Sequence, residues 1–461
     1  MLRFNNFTDE YKYFVQGYVL PLMGMSGKPA EFYAADDVKG EIGSSIVVGV
    51  VDTGKNKKLY FGSLSRILFY ALFSHGFPQD TLKLARCLCR AFFDISQFQF
   101  SHPSKARVRY VSDMHRESVY QMDIQRGICD WMVGEEMRPV EKLLALLEKW
   151  AVQTYEGKKV TFGFFINPKD DSLPTAIRGE TWLKFLENDY SAVLTDCIHS
   201  VIQLDKTCGF VRFLSLAEGG TISAHQLSPL LPLRFSQCID KYIRGSAVGI
   251  FLLNNGDIVL SKEGKINLVK RNLHWLNFSF AAFHDAICDE YTSWNEQLLN
   301  EVYATMLDVS FAHTGGIIAI VKDSNSLSEL KCSILKPCDD LSEELANKGN
   351  QKQERKQSDA DDREMQKIKR KVIENLVNRK NFCQIDRKLR SELTAMDGAC
   401  ILDPNGNVIS FGAIIRNDAE SSGGARGAAS KTLSRYGLAI KISTDGYVEL
   451  YLEGEKKFSI K

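Results

Sequence analysis

From residue 390 onward the chain is written as short apolar runs, each ended by residues that reverse its direction, and this punctuation restricts the fold more than any other feature. Met396-Asp397-Gly398-Ala399-Cys400-Ile401-Leu402-Asp403 is a turn leading into an apolar strand. Asp403 to Asn407 reads as a turn, and Val408 to Phe411 as the returning strand. Ser421 to Ser430 is a loop of small residues running into a short helix, Ala428 to Tyr436, with Gly437 placed to end it. Leu438–Ser443, the Asp445-Gly446 turn and Tyr447–Leu452 complete the pattern. Upstream, Gly315 to Val321 is a glycine-led and wholly apolar run of the kind found in buried central strands. Residues 310–455, without 342–371, are expected to form one mixed sheet, with Ile317–Val321, Cys400–Leu402 and Leu438–Ile442 as inner strands.

The chain has 461 residues, more than one domain normally takes. The reading divides it into an N-terminal region of unclear type (1–125), an α/β accessory domain (126–240) and a C-terminal domain (241–461). Ser45–Val51 reads as a buried strand, residues 64–95 as helix, 140–155 as an amphipathic helix and Lys159–Ile166 as a strand. Residues 180–205 read as helix, Ala247–Leu260 as a hairpin about Asn255-Gly256, and 278–312 as a long helical stretch. Residues 342–371 hold almost nothing apolar and read as a solvated, charged insertion. No internal repeat is obvious.

Composition excludes several classes. Hydrophobic residues are 44%, charged residues 25%, and the net charge is +1, which gives no clear nucleic-acid signature, although net charge says nothing of a local basic patch. The N-terminus lacks the pattern of a secretory signal, and no apolar run approaches the ~18 residues that span a bilayer. A cytoplasmic protein without membrane association is expected. The 11 cysteines are scattered, which suits buried thiols better than a disulfide scaffold. Cys197 and His199 form a Cys-x-His pair with no second pair at zinc-finger spacing. Gly49 to Asn56 has the spacing of a phosphate-binding P-loop, but Asn56 stands where a magnesium-ligating Ser or Thr belongs, so it reads as a strand and exposed turn.

Two other segments carry chemistry. Glycines at Ser421–Ser430 let backbone N–H groups approach a ligand, and the following helix start adds its positive end, which suits phosphate. Arg426 adds a fixed, bidentate donor. Asp397, held by a glycine turn before a strand, is suited to a divalent metal and to deprotonating a hydroxyl. Alternatively, each is an ordinary surface turn.

The order of these elements resembles the diadenylate-cyclase domain found at the start of DisA-type proteins. Asp397, Gly398 and Ala399 match its Asp-Gly-Ala motif. Gly424, Ala425 and Arg426 fall where its Gly-Thr-Arg stands, with Gly427 and Ala428 in place of the following His and Arg. The resemblance implies an α/β protein with a mixed-sheet DisA-type nucleotide-binding domain at the C-terminus and an α/β region before it. It implies a catalytic and metal-binding role for Asp397, with magnesium or manganese as cofactor. Gly398, Ala399, Ser422, Gly423, Gly424, Ala425, Arg426 and Gly427 would line the nucleotide. In that family two domains face each other, one ATP each, so a homo-oligomer is in keeping with it. The missing Thr, His and second Arg favour a sensor that binds ATP or a nucleotide-derived signal with degenerate catalysis. The alternatives are an active cyclase making cyclic di-AMP and a structural protein that has lost its ligand.

Overall fold

The computed structural model describes residues 7–25, 30–34, 48–53, 57–62, 67–73, 77–100, 113–134, 139–167, 174–215, 230–233, 236–278, 280–288, 295–336, 339–341, 358–415 and 424–460. The chain forms two compact units: residues 1–220 with 238–279, and residues 221–237 with 280–461. This differs from the three-part division read from the sequence. A boundary at 125 falls inside a helix, and one at 240 separates strands that are hydrogen-bonded to each other.

The first unit begins with α1 (Phe7–Phe14), which continues through a π-turn (Val15–Val19) into α2 (Leu20–Leu22). A four-stranded antiparallel sheet follows, made of β1 (Phe32–Ala34), β2 (Val48–Asp52), β3 (Lys57–Gly62) and β4 (Ile67–Phe73) in the order β1-β4-β3-β2. The expectation of helix over 64–95 fails at its start. Ile67–Phe73 is a continuous apolar run, ambiguous by periodicity, and its backbone pairs with β3 instead. Helix resumes as α3 (Gln79–Phe100) and α4 (Asp113–Val133), then α5 (Pro139–Ala151). The expected strand at 45–51 is β2, although Ser45, Ile46 and Val47 lie outside the described residues, as do Gly54, Lys55 and Asn56 of the P-loop-like segment. There the chain runs from β2 into antiparallel β3, not into a helix.

After a small ribbon of β5 (Thr154–Tyr155) and β6 (Lys158–Lys159) come β7 (Phe162–Ile166), α6 (Gly179–Leu186), β8 (Ser200–Leu204) and β9 (Phe210–Ser215). The reading of 180–205 as helix is therefore corrected: Ser200–Leu204 is an inner strand parallel to β7. Next are α7 (Ser236–Tyr242), β10 (Val248–Leu252), β11 (Ile258–Lys262), β12 (Lys265–Arg271) and β13 (His274–Asn277). The seven-stranded sheet has the order β13-β12-β11-β10-β7-β8-β9. One core of buried apolar residues, from Tyr11 to Trp275, joins this sheet to the helices and the smaller sheet.

The second unit contains α8 (Phe280–Cys288), α9 (Glu296–Ala312), β14 (Gly316–Val321), α10 (Ser324–Ser333), α11 (Ser358–Val377), α12 (Arg387–Thr394), β15 (Ala399–Leu402), β16 (Val408–Ala413), α13 (Gly424–Leu433), β17 (Gly437–Ile442), β18 (Val448–Leu452) and β19 (Glu455–Ile460). Its sheet has the order β16-β15-β14-β17-β18-β19, with β14 and β15 parallel and all other pairs antiparallel. The mixed sheet expected from the sequence is present, with its three named strands inside. Of the charged insertion, residues 342–357 lie outside the described residues. The rest is helix, and Arg370 is buried against the unit, as are Ile373 and Val377 beyond it. Gly437 does not cap α13. It opens β17, where a Cβ would stand 2.1 Å from the Ile320 carbonyl oxygen.

The two large sheets share one plan, although no repeat is obvious in the sequence. In each, a strand follows a helix, a crossover leads to a parallel neighbour, a tight turn adds an outer strand, and a helix returns to the other side for a meander. Turns and irregularities coincide. Asp205 accepts from the N–H groups of Thr207 (2.7 Å) and Gly209 (2.8 Å), as Asp403 does from Asn405 and Asn407 (both 2.8 Å). The β10–β11 turn closes through Gly256 N–H to Leu253 O and the β17–β18 turn through Gly446 N–H to Ser443 O, both at 2.9 Å. Glu263-Gly264 and Glu453-Gly454 turn the next hairpin with positive φ at both residues, the requirement of a tight two-residue loop. The ladders slip after Leu260 and after Leu450.

Gly437→Ala is expected to destabilise the second unit by about 3 kcal/mol or more, because the obstacle is backbone and cannot yield. Gly424→Ala, with open space around it, should cost only about 1 kcal/mol for its φ of +70°. Urea denaturation of the two variants checks the ranking.

Candidate functional site

The resemblance directs attention to the sheet edge where β14 and β15 begin. Helix α9 ends on His313 in a left-handed conformation (φ 55°). Gly315 continues the reversal at φ +73°, and β14 starts at the next residue. Both glycines are required by their neighbours. A Cβ on Gly315 would meet the Arg426 guanidinium at 2.7 Å, and one on Gly316 would meet the Thr394 carbonyl oxygen at 2.6 Å. The start of β14 is thus pressed between the end of α12 and the first turn of α13.

Helix α12 delivers Asp397. Its N-cap, Asp386, accepts from the N–H groups of Lys388 (3.0 Å) and Leu389 (3.1 Å). Arg387 reaches Asp308 of α9 at 2.7 and 3.0 Å, and Arg390 pairs with Glu301 of α9 while donating to the Phe382 carbonyl at 3.0 Å. After Thr394 the chain turns through Met396, Asp397 and Gly398 into β15. Gly398, at φ +109°, lies so close to Gly412 that a Cβ would stand 2.4 Å from its carbonyl carbon. The parallel ladder pairs Ile318 with Cys400. Gly315 and Asp397 therefore lie just before the starts of two neighbouring parallel strands, at the same end of the sheet.

Asp397 is exposed and Arg426 half-buried. Neither side chain makes a hydrogen bond or ion pair among the described residues. Gly424 and Ala425 are exposed at the start of α13, whereas Gly427 and Ala428 are buried. Ala399 is buried in β15, so only its backbone is available to a ligand. Ser422 and Gly423 lie outside the described residues. Asp397 and Arg426, twenty-nine positions apart, are therefore brought to one end of the sheet.

Sequence reasoning missed three contributors. Lys369 was assigned to the solvated insertion, yet its Nζ donates to the Gly412 carbonyl at 2.6 Å and lies 3.7 Å from Asp339. Thr394 is buried beneath Gly316, and its Oγ1 has no hydrogen-bonded partner within the usual distance for oxygen. Gly315 itself was read only as the introduction to a strand. A cation inside a mixed-charge run and a lone threonine carry no local signal. Cys400, fully buried next to Thr394, has its thiol pushed far above the ordinary range by that burial, so it stays protonated.

Among the described residues no group of three or more His, Cys, Asp or Glu is placed to hold a metal ion. Asp397 alone supplies one carboxylate. Magnesium is commonly held by one or two carboxylates with water and substrate phosphate completing six ligands, so Asp397 fits such an ion only in company with a phosphate. No helix among the described residues is long and apolar enough to cross a membrane. No known family model matches the chain, and no curated protein matches it.

Arg387→Ala should cost about 3–5 kcal/mol, because it leaves the Asp308 carboxylate buried without its counter-charge. In that variant burial raises the Asp308 pKa above its unfolded value. The cost should be full at pH 8 and shrink as the carboxyl protonates on the way to pH 5. Urea unfolding at the two pH values measures the difference.

Proposed function

We propose that the second unit binds a nucleotide or nucleotide-derived signal at this edge, as a sensor with degenerate catalysis. One observation carries the reading: the guanidinium of the half-buried residue Arg426 rests on Gly315, without a partner among the described residues, at the same end of the sheet as Asp397. A guanidinium held in place with no protein partner keeps its donors available to an anion. Phosphate suits its planar, bidentate donor geometry.

The ligand's phosphate meets Arg426 and the backbone at the head of β15. Asp397 would share a magnesium or manganese ion with that phosphate, and such an ion neutralises charge where it is bound. Gly427 and Ala428 stand where the diadenylate-cyclase motif has two further donor side chains, and both are buried in α13. In-line transfer between two triphosphates depends on positioning and charge neutralisation, which this site supplies only in part.

A nucleotide panel with magnesium or manganese, read by mass spectrometry for bound ligand and for product over a range of protein concentrations, tests the reading. Binding without product is expected. Arg426→Ala should weaken it roughly 10- to 100-fold, the loss of one charge-assisted hydrogen bond. Rapid, concentration-dependent cyclic di-AMP formation that disappears in Asp397→Asn would establish the cyclase instead. No binding of any nucleotide would leave the unit a structural module.

A further inference from the structure

Helix α11 brings a cation to the Asp397 turn through an irregularity in the sheet. Ala399 pairs with Ala413 and Ile401 with Ser410, so two steps along β15 are matched by three along β16. Gly412 lies in this bulge, at φ +67°. A bulge leaves a backbone group outside the ladder, and the Gly412 carbonyl accepts from Lys369 Nζ at 2.6 Å instead. Residues four apart share a helix face, so the burial of Ile373 turns Lys369 inward. A Cβ on Gly412 would stand 3.0 Å from the Asp397 carbonyl oxygen and 3.1 Å from Lys369 Nζ. The ammonium therefore borders the backbone of Asp397.

An ammonium has three donors. Among the described residues Gly412 takes one, and the Asp339 carboxylate lies 3.7 Å away, beyond hydrogen-bonding distance. The Lys369 side chain keeps 30% of its surface exposed, so its remaining donors can reach a ligand. One bulge carbonyl needs a donor and not a charge. Strand order then arranges the charges: β14, β15 and β16 are neighbours, with β15 in the middle. At their common end stand Arg426 over Gly315, Asp397 before β15, and Lys369 on Gly412 of β16. A carboxylate thus has a cation at the neighbouring strand on each side.

We propose that Lys369 is a ligand-binding residue of this edge, taking a phosphate group on the side of Asp397 away from Arg426. The inference rests on the ligand-binding reading of the second unit and deepens it. Arg426 and Lys369 hold different phosphate groups of one ligand, so linked phosphates bind more tightly than a single one. A lysine suits the task, because its compact charge on a flexible stem can follow a phosphate while staying near Gly412. It also gives α11, outside both motifs, a part in recognition.

Melting-temperature titrations of the full chain with orthophosphate, pyrophosphate and tripolyphosphate, at constant ionic strength, test the inference. Affinity should rise with the number of phosphates. Lys369→Gln keeps a donor for Gly412 and removes the charge. It should weaken tripolyphosphate roughly 10-fold or more, the loss of one charge-assisted hydrogen bond, and leave orthophosphate within about twofold. Lys369→Arg should retain most of the tripolyphosphate affinity. A second measurement needs no variant: trace acetylation of the native chain, read by peptide mass spectrometry. Tripolyphosphate should protect the Lys369 amine relative to the exposed Lys367 of the same helix. Equal tripolyphosphate affinity in the native chain and Lys369→Gln, with the Lys369 amine unprotected, overturns the inference and leaves the ligand reading intact. An equal loss toward all three anions in Lys369→Gln also overturns it, because a purely structural tie behaves that way. If Lys369→Gln does not fold, the acetylation result decides alone. Failure of the native chain to bind any of the three anions, or any member of the nucleotide panel, overturns both readings.

Discussion

The candidate site depends on the way α12 is pinned to α9. Two arginines on successive turns, Arg387 and Arg390, reach two carboxylates, Asp308 and Glu301, and both guanidiniums are buried. Neither pair is strong evidence for stability, because desolvation opposes the Coulomb attraction. Their effect is positional. They fix the rotation of α12 about its axis, and that rotation sets where Thr394 meets Gly316 and where the chain emerges as Asp397. Apolar side chains in the same places would pack α12 with less directional restraint, since dispersion contacts tolerate sliding and bidentate hydrogen bonds do not.

The C-terminal sheet was legible because its signals are local. Asp403–Asn407 and Asp445-Gly446 can hardly be anything but turns, and the apolar runs between them are too short for helices. Ile67–Phe73 and Ser200–Leu204 were misread for a related reason. A short run with apolar residues satisfies both periods, and only pairing with a neighbour decides it. The common plan of the two sheets was invisible for a different reason. What the units share is backbone: a carboxylate closing the turn after β8 and β15, positive φ at Glu263-Gly264 and Glu453-Gly454, and slips at Leu260 and Leu450. Side chains that fill each core are interchangeable by volume, so two copies of one plan need share few letters.

The site was legible in part. Asp397 and Arg426 were singled out by type and spacing, and the structure sets them at one end of the sheet. Lys369 was not legible, because its role comes from the course of α11 and not from its neighbours in sequence. The glycines at 315, 316 and 398 mark places where backbone approaches backbone or a guanidinium more closely than a Cβ allows. Such glycines look like flexible turns until the opposing element is known.

The contrast between the units bears on how each is stabilised. In the first, Asp196 satisfies three N–H groups and orients His199, so the head of β8 is complete without outside help. In the second, the N–H groups of Asp397 and Gly398 and the guanidinium of the half-buried residue Arg426 lack acceptors among the described residues. Unmet donors at a sheet edge are tolerable only while water reaches them, and Arg426, packed on Gly315, is partly shielded from it. An anion that bound these donors in the folded unit and not in the unfolded chain would add its binding free energy to folding. On the ligand-binding proposal, the stability of the second unit would therefore follow ligand concentration, while the head of β8 in the first unit is held by a residue of its own.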